Sequence, residues 1–334
     1  MITQYRVYGR YIKKYFPFKS YPGTTLRGVF GLTLRRISCK TGLKECKDCT
    51  VYKDCPYASI YESSSFLKPS ARIAAKSGKE GVTNPYTIED ISIQDERISY
   101  VINLFGDAIR WEHLVVMAIV GMGFEGLGFD PVSGERRRFI VERIDWFDPY
   151  TSNKGVLFTS ETGFMHREEA GKPSNLLEVF DRRVREIAEM RVSRVLLYFK
   201  TPYLLFSEGK PSYTPNFSTI VMNLARKYSM LAEYHGVGHP FSLAKARALK
   251  RLSSKVRLRK WVIEGFRKVV KTNLNGGKKC MGKFAKGILT YELPEDFWKR
   301  EESFDIFKLL FLGEYLHVGK LASAGYGDYE LYFS

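Results

Sequence analysis

The chain has 334 residues, 44% of them hydrophobic and 27% charged, and a formal net charge of +17. This length and balance exclude a disordered chain, a collagen-like chain and a coiled-coil rod, and they suit two domains whose cores need no disulfide staples. The surplus of positive charge points to a polyanionic partner, either nucleic acid or an anionic membrane surface.

The N-terminus, MITQYRVYGRYIKKYF, interleaves basic and aromatic residues and lacks the apolar run of a secretory signal. The most apolar stretch, Leu114 to Phe124, holds two glycines and falls short of the ~20 residues of a membrane helix. A cytoplasmic protein with no membrane partner is expected, and in that compartment five cysteines suggest a metal site or free thiols. Residues 2–15 read as a strand, Tyr21-Pro22-Gly23 as a turn, and Thr24 or Thr25 as the cap of a helix that buries Leu26, Val29, Phe30, Leu32, Thr33, Leu34 and Ile37. A cysteine-rich excursion follows from Cys39 to Cys55, then a polar basic loop from Lys68 to Pro85. Tyr86 to Phe105 suits one or two strands and Trp111 to Met122 a helix. The glycine-rich GMGFEGLGF and a strand over Arg138 to Phe147 complete the first half.

Residues 149–189 read as a polar connector with a helix near Leu176 to Glu189. The same order then returns: a strand over Val192 to Phe206, helices over Phe217 to Tyr234 and Ser242 to Leu252, and strands over Val256 to Val270 and Gly287 to Leu293 around a Gly/Lys loop. A helix over Phe304 to Leu316, a glycine-rich loop and a strand over Asp328 to Phe333 end the chain. Strand, helix, two strands, helix, strand is the βαββαβ order of a ferredoxin-like unit. The expected fold is therefore α+β with two tandem ferredoxin-like domains: residues 1–148 carrying the cysteine insert (39–55), the connector, and residues 190–334.

Three motifs carry chemistry. Between Lys245 and Lys286 there are fifteen basic residues and one acid, Glu264. A solvated helix face normally mixes signs because like charges at i, i+4 repel, so an unmixed run favours phosphate binding. Cys39, Cys46, Cys49 and Cys55 fall within seventeen positions, and the middle pair is a Cys-x-x-Cys knuckle. Four thiolates suit a closed, structural tetrahedral zinc site, or less readily an iron–sulfur cluster. Gly319-Lys-Leu-Ala-Ser-Ala-Gly325-Tyr-Gly327 joins a helix to a strand. Its glycines admit positive φ and its N–H groups could form an anion-binding nest, although a tight turn alone would also account for it.

These motifs lead to a family. PGTTLRGVFGLTLRR, the cysteines and CPYASIYE together resemble the N-terminal half of the CRISPR repeat-processing endoribonucleases, the sixth Cas family, in its branch with a cysteine-rich insert. LGEYLHVGKLASAGYGDYEL resembles that family's glycine-rich signature. WVIEGFRKVVKTNLNGGKKCMGKFAKGILTYEL resembles its basic strand-loop-strand. The resemblance implies paired ferredoxin-like domains that bind repeat RNA and cut it without a metal ion. In that chemistry the 2′-hydroxyl attacks the phosphorus and leaves a 2′,3′-cyclic phosphate and a 5′-hydroxyl. Residues expected on the RNA are Arg27, Lys278, Lys279, Lys283, Lys286, Lys320, Gly325 and Gly327, with His317, Lys320 and Ser323 as candidates for the chemistry. The chain departs from the family pattern in having no histidine before His113. Of the five histidines, His113 reads as structural, His166 as exposed, His235 and His239 as loop residues, and His317 as either a helix cap or a catalytic group. The alternatives are a non-cleaving RNA-binding subunit of a CRISPR effector complex and an unrelated zinc-containing nucleic-acid-binding protein. Other CRISPR-associated subunits are possible partners of a monomer or homodimer.

Overall fold

Residues 2–43, 45–67, 81–148, 150–151, 153–163, 176–272 and 277–334 are described by the computed structural model. Residues 68–80 of the basic loop, residues 164–175 of the connector with His166, and residues 273–276 lie outside them. The chain divides into two units. The first holds the described residues up to 163 and Tyr234–Val237; the second holds those from Leu176 to Glu233 and Gly238–Ser334.

In the first unit, strands β1 (Ile2–Tyr11), β2 (Tyr86–Gln94), β3 (Arg97–Phe105), β4 (Phe139–Phe147) and β5 (Lys154–Thr159) form an antiparallel sheet of order β2-β3-β1-β4-β5. Helices α1 (Gly23–Ser38) and α3 (Glu112–Glu125) are the crossovers, and α2 (Pro56–Ile60) is a short helix after the cysteines. The period-2 side chains Tyr5 and Val7 of β1 meet Ile102 and Leu104 of β3, together with Leu26, Phe30 and Leu34 of α1 and Val115, Ile119 and Met122 of α3. Each large apolar side chain buried this way stabilises the fold by about 1.5–3 kcal/mol.

In the second unit, α4 (Leu176–Glu189) precedes β6 (Arg194–Phe199) and a small hairpin, β7 (Leu205–Ser207) with β8 (Lys210–Ser212). Helices α5 (Phe217–His235) and α6 (Leu243–Ser253) lead to β9 (Arg257–Thr272) and β10 (Lys278–Glu292). Helix α7 (Glu302–Leu316) and β11 (Tyr329–Phe333) finish the chain. The sheet order is β11-β6-β10-β9, again antiparallel, with Val195, Leu197, Phe199, Leu289, Tyr291 and Tyr329 buried. In each unit the first strand sits between the third and the fourth. The α+β architecture with two antiparallel sheets is the expected one. No helix among the described residues is long and apolar enough to cross a membrane.

Several local expectations are corrected. Neither Thr24 nor Thr25 caps α1: the N-cap is Pro22, whose carbonyl accepts from the N–H groups of Thr25 and Leu26. The segment read as a connector contributes β5 to the first sheet. GMGFEGLGF is not all loop, because Gly121 and Gly123 lie within α3. The strand expected over Val192 to Phe206 ends at Phe199, and the remainder leads into the β7–β8 hairpin. Most of the supposed Gly/Lys loop is strand: Lys278, Lys279, Lys283 and Lys286 all belong to β10.

Candidate nucleic-acid interface

The glycine-rich loop starts where α7 ends. His317 is the helix C-cap with φ 55°, and Leu321, Gly325 and Gly327 also have positive φ. A Cβ at Gly327 would lie 2.0 Å from the Val318 carbonyl oxygen, so only glycine fits there. Helix α5 holds the loop's first residues with two side chains one turn apart. Asn223 Oδ1 accepts from Gly319 N–H at 2.9 Å, and Lys227 Nζ donates to the His317 carbonyl at 2.7 Å. Burial, with Arg226 adjacent, pushes the Lys227 amine down to about 7. The His317 imidazole is fully buried and its Nδ1–H donates to the Ala322 carbonyl at 3.2 Å. Its Nε2 lies 3.9 Å from Asp328 Oδ1, and Asp328 Oδ2 pairs with Lys200 at 3.0 Å.

This geometry corrects two expectations. Burial holds His317 down to about 4, so it is a neutral ring fastening the loop's short 3-10 turn and not a cationic cap. The ring has no solvent-exposed surface in this structure. The proposed nest is also largely filled. The N–H groups of Val318, Gly319, Lys320, Gly325, Gly327 and Asp328 all donate to acceptors within the unit. Lys320 is half-buried and its ammonium donates to the Met281 carbonyl at 2.6 Å, which ties the loop to β10; Ser323 is half-buried.

The cationic surface lies on the β9–β10 hairpin. β10 pairs with β6 only over Ile288 to Glu292, and beyond a single bridge at Ala285 the hairpin continues as a two-stranded ribbon. In its register Lys268 faces Lys283 and Lys271 faces Lys279. Like charges directly opposite destabilise a sheet where no counter-charge lies between them. Lys278, Lys279 and Lys283 are exposed, and Lys286 is half-buried with its ammonium 3.5 Å from Glu264. The Lys283 ammonium also lies 4.2 Å from the Phe266 ring centre. The unmixed charge run marks these lysines in the sequence. Nothing in it flags the exposed aromatics of β9, the half-buried Asn223 or the buried Lys227, which only the packing brings to the loop.

Arg27 is not on such a surface. Its guanidinium stacks 4.4 Å from the Tyr61 ring centre and donates to the Tyr61 hydroxyl at 3.1 Å. Gly31, one turn on, leaves room for that ring, because a Cβ there would lie 2.2 Å from it. Arg27 therefore docks the insert on α1. Cys39, Cys46, Cys49 and Cys55 line one cavity of about 200 Å³ with Thr41, Tyr52 and Phe66. Cys39 and Cys49 each place sulfur 3.9 Å from the Thr41 hydroxyl. Hydrogen bonds from the Gly42 and Thr41 backbone draw the Cys39 thiol below its ordinary range, and burial raises that of Cys46. The four thiols share a cavity, but among the described residues no three His, Cys, Asp or Glu side chains converge as a ligand set. His235 is buried at the end of α5, held down to about 4 by burial despite the nearby Asp107, whereas His239 is exposed.

Residues 1–170, just over half the chain, match a family model described as the N-terminal domain of AF_1859. Residues 197–329, the span of the loop and the hairpin, match the model of the CRISPR-associated endoribonuclease Cas6. The model that spans half of the chain places it in the AF_1859 N-terminal domain family, and its C-terminal part is similar to Cas6. No curated protein matches the sequence. Among solved structures, a Thermus thermophilus Cas6 (TTHB231) is similar, with TM-score 0.52 at 14% identity over 99% of this chain and 98% of the other. A product complex of a Cas6 (TTHA0078) gives 0.51 at 13% over 99% and 100%. A chain of a partial Cas6-RT-Cas1–Cas2 complex gives 0.54 at 10%, covering all of this chain and 46% of its own length. At these identities the likeness is one of fold, so the roles of individual residues rest on this chain's own geometry.

Proposed function

We propose that this chain binds CRISPR repeat RNA and cleaves it through the RNA's own 2′-hydroxyl. The 2′-oxygen bonds to phosphorus as the bond to the 5′-oxygen breaks, one proton leaves the 2′-hydroxyl and one is delivered to the 5′-oxygen. The products are a 2′,3′-cyclic phosphate and a 5′-hydroxyl. The observation that carries the reading is the hairpin whose lysines face one another across the strands, within the span that matches the Cas6 model. Lys278, Lys279, Lys283 and Lys286 bind phosphates. Lys320, held on the Met281 carbonyl, supplies a cation to the charge that builds on the phosphorane, and Ser323 a hydroxyl donor. Gly325 and Gly327 shape the loop that carries both residues, and His317 positions it from beneath.

The burial of His317 favours a second reading, a non-cleaving RNA-binding subunit working with other CRISPR-associated proteins. Incubation with cognate repeat RNA in EDTA separates the two. Cleavage with a cyclic phosphate end supports the nuclease, binding without cleavage supports the subunit, and no binding overturns both. We also propose that Cys39, Cys46, Cys49 and Cys55 hold one structural zinc, supported by their shared cavity and thiol chemistry.

A further inference from the structure

We infer that β9 is a stacking surface for unpaired RNA bases, with Trp261 and Phe266 as its two aromatic posts; this rests on the RNA-binding reading above. Trp261 is 54% exposed and Phe266 46%, with Val262 and Val270 of the same strand also open. β9 is the outermost strand of its sheet. A long outer strand carrying open apolar side chains invites aggregation unless something covers it. Its charge selects the cover. Arg259 and Lys260 precede Trp261, Arg267 and Lys268 follow Phe266, and the whole strand has six basic residues against the single acid Glu264. Pairing with a second copy of this strand would bring cations against cations, whereas a polyanion with flat apolar faces meets both the rings and the charges.

The register places the rings on one side. Trp261 pairs with Leu289 and Phe266 with Ala285, positions four apart on β10 whose side chains are both buried. The two posts therefore stand roughly 13 Å apart along the strand, a span for a few nucleotides. A paired A-form helix hides its base faces in its own stack. Only unpaired nucleotides can lay a base on an indole or phenyl ring, and such stacking is tolerant of sequence. The Lys283 ammonium beside the Phe266 ring puts a phosphate-binding charge next to one post. The hairpin thus selects an unpaired segment of the substrate, and its cations hold the backbone on either side.

The test compares the full chain with Trp261→Ala, Trp261→Phe and Phe266→Ala for binding a short unstructured oligouridylate and a fully paired RNA duplex of equal length, across a salt series. The expected result is that the parent prefers the oligouridylate. Trp261→Ala weakens that binding by roughly fivefold to a hundredfold with the salt slope unchanged, and Trp261→Phe restores most of it. Phe266→Ala should weaken it in the same sense. Thermal unfolding of each variant confirms that the fold survives, as expected for exposed side chains. Equal affinity of Trp261→Ala and parent, or a parent that prefers duplex, overturns the stacking surface while leaving repeat-RNA binding intact. Concentration-dependent self-association that Trp261→Ala abolishes also overturns it and assigns the strand to a second copy. A parent that binds neither probe nor cognate repeat RNA overturns the RNA reading itself.

Discussion

The glycine-rich loop and the β9–β10 hairpin both stand out in the sequence as phosphate sites, and the structure treats them in opposite ways. The loop turns its polar groups inward, onto Asn223, Lys227, the Leu204 carbonyl and its own carbonyls, with His317 neutral beneath it. The hairpin turns its charges outward and sets lysine against lysine. Glycine richness here records how closely backbone approaches backbone, while an unmixed run of cations records something missing from the chain itself. A site that is internally satisfied serves stability and placement. A site that is internally frustrated serves binding.

Substitution at Gly327 should have the largest effect. Gly327→Val combines a positive φ with a collision against the Val318 carbonyl and should cost about 3 kcal/mol or more, read as a large drop in thermal unfolding temperature with RNA binding lost as a consequence. Gly325→Val places a β-branched side chain at a positive φ in a buried position and should lose part of the stability together with binding or cleavage. A stable Gly327→Val protein would break the contrast by showing that the loop is not held by packing.

The hairpin should respond in the reverse sense. Reversing Lys278, Lys279 and Lys283 to Glu should weaken RNA binding by orders of magnitude and lower the salt slope by ~0.7 for each single-strand phosphate that is no longer neutralised. The same change places Glu opposite Lys271 and Lys268, so the folded protein should be as stable as the parent or more so, by a few tenths to about 1 kcal/mol per pair. Lower stability together with unchanged affinity would move the RNA path elsewhere. Lys320→Ala, at the junction of loop and ribbon, should keep the fold and weaken binding more modestly.

Acid separates the two roles of the loop. The folded pKa of His317 lies below its unfolded value, so unfolding takes up a proton as the pH falls. Stability present above about 6.5 is lost progressively as the pH drops towards 4, by up to about 3 kcal/mol. His235 behaves in the same way. Glu314, raised to about 7 mainly by burial, works in the opposite direction, because its stabilisation is full below 4.5 and lost as the pH rises through 7. The difference between the acid limbs of the parent and His317→Gln therefore isolates His317. That variant should be less stable and less sensitive to acid, with cleavage by the surviving folded fraction unchanged. A selective loss of cleavage at full stability would return His317 to the chemistry.

The smallest effect is expected in the cysteine insert. Elemental analysis of protein purified without added metal should find about one zinc per chain. Cys46→Ser should release it and loosen the segment from Cys39 to Cys55, leaving the thermal transition of the two units nearly unmoved. No zinc, with four freely titrating thiols, would make the cavity a plain pocket.

Residue spacing alone determined the architecture. The helical period of α1 placed Leu26, Val29, Phe30 and Leu34 in the core, because sequence spacing sets which side of an element a residue occupies, while Ile37 at the helix end, expected buried with them, is exposed. The fifteen-to-one charge run likewise pointed to a cationic surface without any coordinates, though Lys245, Arg247, Lys250 and Arg251 of that run lie on α6. Tertiary structure decided everything that depends on where groups far apart in the sequence meet. Gly31 admits Tyr61 and so gives Arg27 a ring to stack on. Asn223 and Lys227 reach the loop from a helix ninety or more residues upstream. Burial makes His317 neutral, and register alone sets Lys268 against Lys283. Charge, protonation and accessibility are properties of a side chain's surroundings, and a sequence does not display surroundings until the chain has folded.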